Sequence, residues 1–177
     1  MASENFVTKL NEQVGHEFGA AQQYIAAAVW YDAQSLPQLA GFFYRQAVEE
    51  RNHAMMMIQY LLDADADAVV PAVSQPKTSF GDIVEPVQVA LDQERMVSDQ
   101  ISALAATARA DNDFVSEQFT QWFLKEQVEE IASMSTLLAA VERGRDNLLQ
   151  LEDWVAREMG AGEGEDATAP GAAGGAL

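Results

Sequence analysis

The segment FYRQAVEERNHAMMMIQYL, residues 43–61, decides the fold. Its apolar side chains recur at Phe43, Ala47, Ala54, Met57 and Leu61, the three-and-four spacing of one helix face. The tooth missing from that stripe is Glu50, and His53 stands three residues on, nearly a full turn away. A helix that carries a carboxylate and an imidazole on its core face needs partners that compensate their burial.

Read outward from this segment, three more helices repeat the design. Ser3 can cap a first helix running to about Ala33, whose stripe Leu10, Val14, Ala21, Tyr24, Ala28 is interrupted by Glu17. Gln34 to Pro37 is a short break, and Pro37 suits the first turn of the second helix, which reaches about Ala64. A third helix starts near Asp82, tolerates Pro86 in its first turn, and ends near Ala110; its stripe Val87, Leu91, Ile101, Ala105 is broken by Glu94. After the polar turn Asp111-Asn112-Asp113, a fourth helix runs to about Arg143 and stops at Gly144. Its stripe Phe119, Phe123, Met134, Leu137, Val141 is broken by Gln127 and Glu130. A short fifth helix over about 146–158 carries Leu148, Leu149, Leu151 and Trp154.

Helices of about 27 residues are roughly 40 Å long. Short links make the first and second helices, and the third and fourth, antiparallel hairpins. The middle connection of about 17 residues far exceeds the usual link between bundle neighbours. Extended, it spans roughly 55 Å, enough to run the length of a bundle. The fold class expected is therefore all-α: a four-helix bundle with one long crossover and a short fifth helix, in one domain over residues 1–158. Residues 159–177, rich in Gly and Ala, read as a flexible tail.

Composition narrows the function. The 177 residues include no cysteine, so disulfides, thiolate metal sites and a cysteine nucleophile are excluded. With 28 acids against 10 Lys and Arg, the formal charge of −18 repels nucleic acid and anionic lipid and attracts cations. No apolar run approaches the length of a membrane span. Residues Met1 to Asn5 show neither a basic patch nor an apolar signal core, so a cytoplasmic protein is expected.

Glu17, Glu50, Glu94 and Glu130 all fall roughly 17–26 Å from one end of their helices. Four carboxylates, one imidazole and the Gln127 amide thus converge near the midplane of a low-dielectric core. No Lys or Arg shares those stripes, and so many buried carboxylates cannot all stay ionised without counter-charge. Either several are protonated or cations bind. Two divalent cations would neutralise four carboxylates, and oxygen-rich ligands with one imidazole suit iron or manganese better than copper. Di-metal bundles place a Glu on each of two helices and Glu-x-x-His on each of the others. Here Glu50-x-x-His53 faces Gln127-x-x-Glu130, so the two positions should differ in affinity.

The pattern Glu17, Glu50-Arg51-Asn52-His53, Glu94, Gln127-Val128-Glu129-Glu130 resembles the non-haem bacterial ferritins over roughly residues 4–158. The resemblance implies a ferritin-like bundle with a ferroxidase centre that oxidises Fe²⁺ with O₂ or H₂O₂. It implies two irons per centre: site A of Glu17, Glu50 and His53, and site B of Glu50, Glu94 and Glu130, with Gln127 close by and Glu50 bridging. An outer third site maps onto Glu49, Glu126, Glu129 and Glu130. Tyr24 and Trp122 match aromatics beside the centre. The resemblance also implies a hollow shell of twenty-four copies that stores ferric mineral, with no nucleic-acid or membrane partner. Haem-binding relatives carry a methionine just after the second-helix glutamate and a Glu-x-x-His on the fourth helix. This chain has Arg51 and Glu130 there, so no haem is expected.

Two other classes share these residues. A soluble di-iron oxidase or peroxidase acting on an organic substrate would need an apolar channel, for which Ala21, Ala47 and Ala54 could leave room. A metal-free helical assembly protein would keep its glutamates protonated. Asp111, Asp113 and Glu117 could line an acidic pore, although a solvated turn fits them better. His16 points to another face and is assigned no role.

Overall fold

The computed structural model of the chain describes residues 2–160 and 166–177. Among the described residues there are five helices and no strand: α1 (Glu4–Ala33), α2 (Pro37–Asp63), α3 (Glu85–Ala110), α4 (Phe114–Gly144) and α5 (Leu148–Glu158). Their ends have local causes. The Ser3 hydroxyl accepts the Phe6 N–H at the start of α1, and the Asp113 carboxylate accepts the Ser116 N–H at the start of α4. The helices α1, α2 and α3 each stop where one residue takes a left-handed conformation: Ser35 (φ 60°), Asp65 (φ 54°) and Asn112 (φ 55°). In each case the next N–H reaches back to a carbonyl five residues earlier, as Leu36 does to Tyr31. The third helix begins at Glu85 rather than near Asp82. The Asp82 carboxylate takes up the N–H groups of Val84 and Glu85, so its own residues form bends ahead of the helix.

Side-chain contacts along the crossover establish the topology. Residues 64–84 climb along α1, with Asn11 bonded to Asp67 and Val69, Gln23 to Lys77, and Tyr31 to the Ile83 carbonyl. Helix α3 therefore starts beside the end of α1. At the other end of the bundle, Ser3 and Asn5 bond to Asp111 and Asp113. Gly15 is required where the crossover passes over α1, since a Cβ there would stand 2.9 Å from the Pro71 ring. The hairpins α1–α2 and α3–α4 pack through α1 and α3, and α5 crosses the ends of α2 and α4. Leu36 offers α2 no side-chain cap, and Glu152 of α5 supplies one from outside, accepting the N–H groups of Gln38 and Leu39.

The core divides into two apolar halves. One gathers Tyr24, Tyr31, Phe43, Leu91, Leu137 and Leu151. The other gathers Phe6, Leu10, Met57, Leu61, Ile101 and Phe123. The interrupting polar residues form the layer between them.

Residues 166–177, for which composition predicts a flexible extension, lie against α2 and α4. Trp122 donates to Asp166 (3.0 Å), Ala173 N–H to the Met55 carbonyl (3.0 Å), and Leu177 N–H to Asn52 Oδ1 (3.1 Å). Ala169, Ala172 and Ala173 are small enough to seat closely on the apolar half beneath them. The remaining part of the expected tail, residues 161–165, lies outside the described residues.

Candidate metal centre

The polar layer is buried. Glu17, Glu50 and His53 are at most 2% exposed, Glu94 is fully buried, and Gln127 and Glu130 are 4% exposed. One ligand atom each from Glu17, Glu50 and His53 lies within 4.8 Å of the others, with His53 Nδ1 3.6 Å from Glu50 Oε2. Both Glu50 oxygens and Glu17 Oε2 have no hydrogen-bond partner among the described residues. Buried carboxylate oxygens left this way are costly in a metal-free core and are the donors a hard cation seeks.

Glu94 and Glu130 complete the layer from α3 and α4. Glu94 is differently placed, because Tyr24 donates to its Oε1 and Gln127 Nε2 approaches Oε2 at 3.5 Å. Tyr24, assigned from sequence to the edge of the centre, thus bonds directly to one of its carboxylates.

The electrostatics follow from crowding and burial. Glu50 is pushed well above the usual carboxylate range by burial first, then by the charges of Glu94 and Glu17. Glu94 is raised to about 7 by burial, with the Tyr24 hydrogen bond opposing. Burial pushes the Tyr24 hydroxyl well above its ordinary value, and the charges of Glu94, Glu50 and Glu130 push the same way. His53 moves the other way. Burial lowers its pKa despite the nearby Glu17 charge, so at neutral pH its imidazole is uncharged and offers a ring nitrogen as a donor atom. The rings of Trp122 and Phe123 meet it edge-on with centroids 5.6 and 5.8 Å away.

A second cluster shares His53, where Glu49 and Glu126 bring a ligand atom each within 4.8 Å. Glu129 stands apart, about half exposed and 3.5 Å from Lys125. This cluster borders a cavity of about 510 Å³ whose lining includes Asn52, Met56, Trp122 and the C-terminal residues Asp166 and Leu177. The acidic turn between α3 and α4 has internal work: Asp111 and Asp113 hold the start of α1, and Glu117 pairs with Arg109.

Sequence reasoning missed Gln13. It is 1% exposed and donates to Glu17 Oε1 at 2.8 Å. Its signal was present, since Leu10, Gln13, Val14 and Glu17 share one face and Gln13 is a second gap in that stripe. His16, assigned no role, is exposed yet has its Nδ1 3.2 Å from Gln13 Oε1.

Comparison with known proteins agrees with this architecture. The family model described as a ferritin-like domain matches residues 7–144. The chain is 54% identical to the ferritin BfrB of Mycolicibacterium smegmatis over 97% of its own length and 94% of that protein. It is 39% identical to the bacterial non-heme ferritin of Staphylococcus aureus over 91% of this chain and 96% of that one. Among solved structures, an open-pore ferritin from the archaeon Archaeoglobus fulgidus superposes with a TM-score of 0.85 at 26% identity, covering 88% of this chain and 98% of that one.

Proposed function

The chain belongs to the ferritin family of iron-storage proteins, and we propose that its polar midplane layer oxidises Fe²⁺ before storage. The observation that carries this reading is the convergence of Glu17, Glu50 and His53, with unpartnered buried oxygens, between two apolar halves. Fe²⁺ enters as substrate. Glu17, Glu50 and His53 bind one ion, and Glu50, Glu94 and Glu130 bind a second beside Gln127, with Glu50 shared. The glutamates supply hard oxygens and His53 one neutral nitrogen.

Each ion loses one electron. With O₂ as oxidant, the pair of electrons and two protons give H₂O₂; with H₂O₂, the same two electrons and two protons give two waters. The rise in charge favours water as a ligand over the crowded carboxylates, so Fe³⁺ hydrolyses and leaves. Glu49 and Glu126, which share His53 with the centre, form the next cation stop on the way out. No haem is required by this scheme, and Arg51 stands where the haem-binding relatives carry methionine.

The mineral requires an enclosure, and we assign it to a shell of twenty-four copies in the cytoplasm. Supporting this is an apolar groove of about 660 Å³ on the α1–α2 face, lined in part by Ile25, Tyr44, Val48 and Val70, all exposed in the single chain. No helix is long and apolar enough to cross a membrane among the described residues. An organic-substrate oxidase is less well supported: Ala21 and Ala47 do line an apolar hollow, but it is the groove on the α1–α2 face, and the relatives are ferritins.

The test is aerobic loading of metal-stripped protein with excess Fe²⁺, followed by size exclusion. Storage predicts far more than two irons per chain co-eluting with a particle much larger than 19.3 kDa. Uptake that stops at about two per chain would identify an oxidase, and no uptake would refute the centre.

A further inference from the structure

The polar layer contains a buried side chain, Gln13, to which the proposed scheme gives no part. Gln13 sits one turn ahead of Glu17 on α1, and its amide has both ends engaged. A buried amide is tolerated only when its donor and acceptor are met. Facing Glu17 its NH₂ donates, to Oε1 at 2.8 Å. The other end, Oε1, then faces His16 and needs a hydrogen there, which fixes the imidazole with its proton on Nδ1. His16 is exposed while Gln13 and Glu17 are 1% exposed, so the three residues run from the surface to the layer along one helix.

The consequence for Glu17 is asymmetric. Oε1 is occupied by Gln13, whereas Oε2 has no partner among the described residues. Both Glu50 oxygens lack an amide or hydroxyl partner among the described residues and have the Glu17 carboxyl crowding them instead. We infer that Gln13 is a positioning residue, held in turn by His16, that pins one oxygen of Glu17 and presents only the other to a cation, so that Glu17 ligates through a single oxygen while Glu50 remains free to bridge. This rests on the proposed oxidation centre and adds to it a determinant of the first cation's affinity and coordination number.

The experiment uses Co²⁺ as the probe, titrated anaerobically into the metal-stripped full-length protein and followed by its visible ligand-field absorption and by calorimetry. Gln13→Met keeps the volume and removes the hydrogen bond. It is expected to weaken the first binding step by roughly 10- to 100-fold, the range typical of outer-sphere partners. The first ion's ligand-field bands should change as well, while the second step stays as in the wild type. His16→Ala should reproduce part of this loss, and His16→Gln, which restores a donor, should recover it. An unchanged first step in Gln13→Met overturns the inference. Equal weakening of both steps together with a lowered melting temperature also overturns it, since that is the mark of a purely structural role. The underlying reading fails separately: wild-type protein that binds two Co²⁺ yet does not oxidise Fe²⁺ would refute the oxidation centre without touching the role of Gln13.

Discussion

The two halves of the polar layer are built on opposite principles. On the α1–α2 side, Glu17, Glu50 and His53 converge with three carboxylate oxygens unpartnered. On the α3–α4 side, Glu94 already has Tyr24 and Gln127 as partners inside the protein. The first half has one oxygen, Glu17 Oε1, held from inside by Gln13, and leaves the other three open to a cation. The second has an internal substitute and must give up hydrogen-bond partners, or share them, to bind one. For the proposed centre this difference predicts unequal affinity for its two cations, in line with the asymmetry of His53 opposite Glu130.

The change expected to break the comparison most severely is Glu50→Ala, because the proposed centre assigns Glu50 to both cations. Fe²⁺ oxidation measured by stopped-flow absorbance is expected to fall by more than the roughly 100-fold typical of outer-sphere changes. The same variant should melt higher than wild type in the absence of metal, since a crowded buried carboxylate is gone. A smaller effect separates the halves. Glu17→Ala should remove the tight step of a Co²⁺ titration, whereas Glu94→Ala should leave that step and weaken the second by about 10-fold or more. If both variants lose the same step, the two halves are equivalent and the comparison is wrong.

The pH dependence sharpens the contrast further. Glu94 is raised from 4.5 to about 7 in the folded protein, so its burial is tolerated best when it is protonated. Its contribution to metal-free stability is fully present below pH 4.5 and is lost as pH rises through about 7. The metal-free wild type should therefore gain stability relative to Glu94→Gln when pH is lowered from 7.5 to 5.5, as read by denaturant unfolding. Bound cation should erase this gain, because it favours the ionised carboxylate. The smallest effect is expected from removing residues 166–177. That deletion takes away the hydrogen bonds to Trp122, Asn52 and Met55 and the seat of three alanines on the apolar half, and leaves both halves of the layer intact. Its melting temperature should fall by a few degrees at most, equivalent to about 1 kcal/mol, with both Co²⁺ steps unchanged.

The helices and their polar interruptions could be read from the sequence because period 3.6 exposes any tooth missing from an apolar stripe. The crossover could be read from its length alone. The start of α3 could not, since an Asp82 side chain that caps ahead of the helix looks in sequence like the helix itself. Gln13 escaped for a different reason: its gap in the stripe lies one turn from that of Glu17, and its role shows only when the amide is seen bonded to that carboxylate. The seat of residues 166–177 was invisible because glycine and alanine carry no periodic signal. Their placement depends on small side chains fitting a surface that α2 and α4 create together.

The edge-on contact between Trp122 and His53 gives the molecule a built-in optical reporter. Trp30 and Trp154 pack against the far apolar half, so of the three tryptophans only Trp122 touches the centre's imidazole. Its indole also holds Asp166, which couples its emission to the position of the chain's end. A paramagnetic ion on His53 would quench it through space, whereas release of Asp166 would shift its wavelength. One fluorescence trace can thus follow filling of the centre and movement of the C-terminal segment as separate signals, without any label.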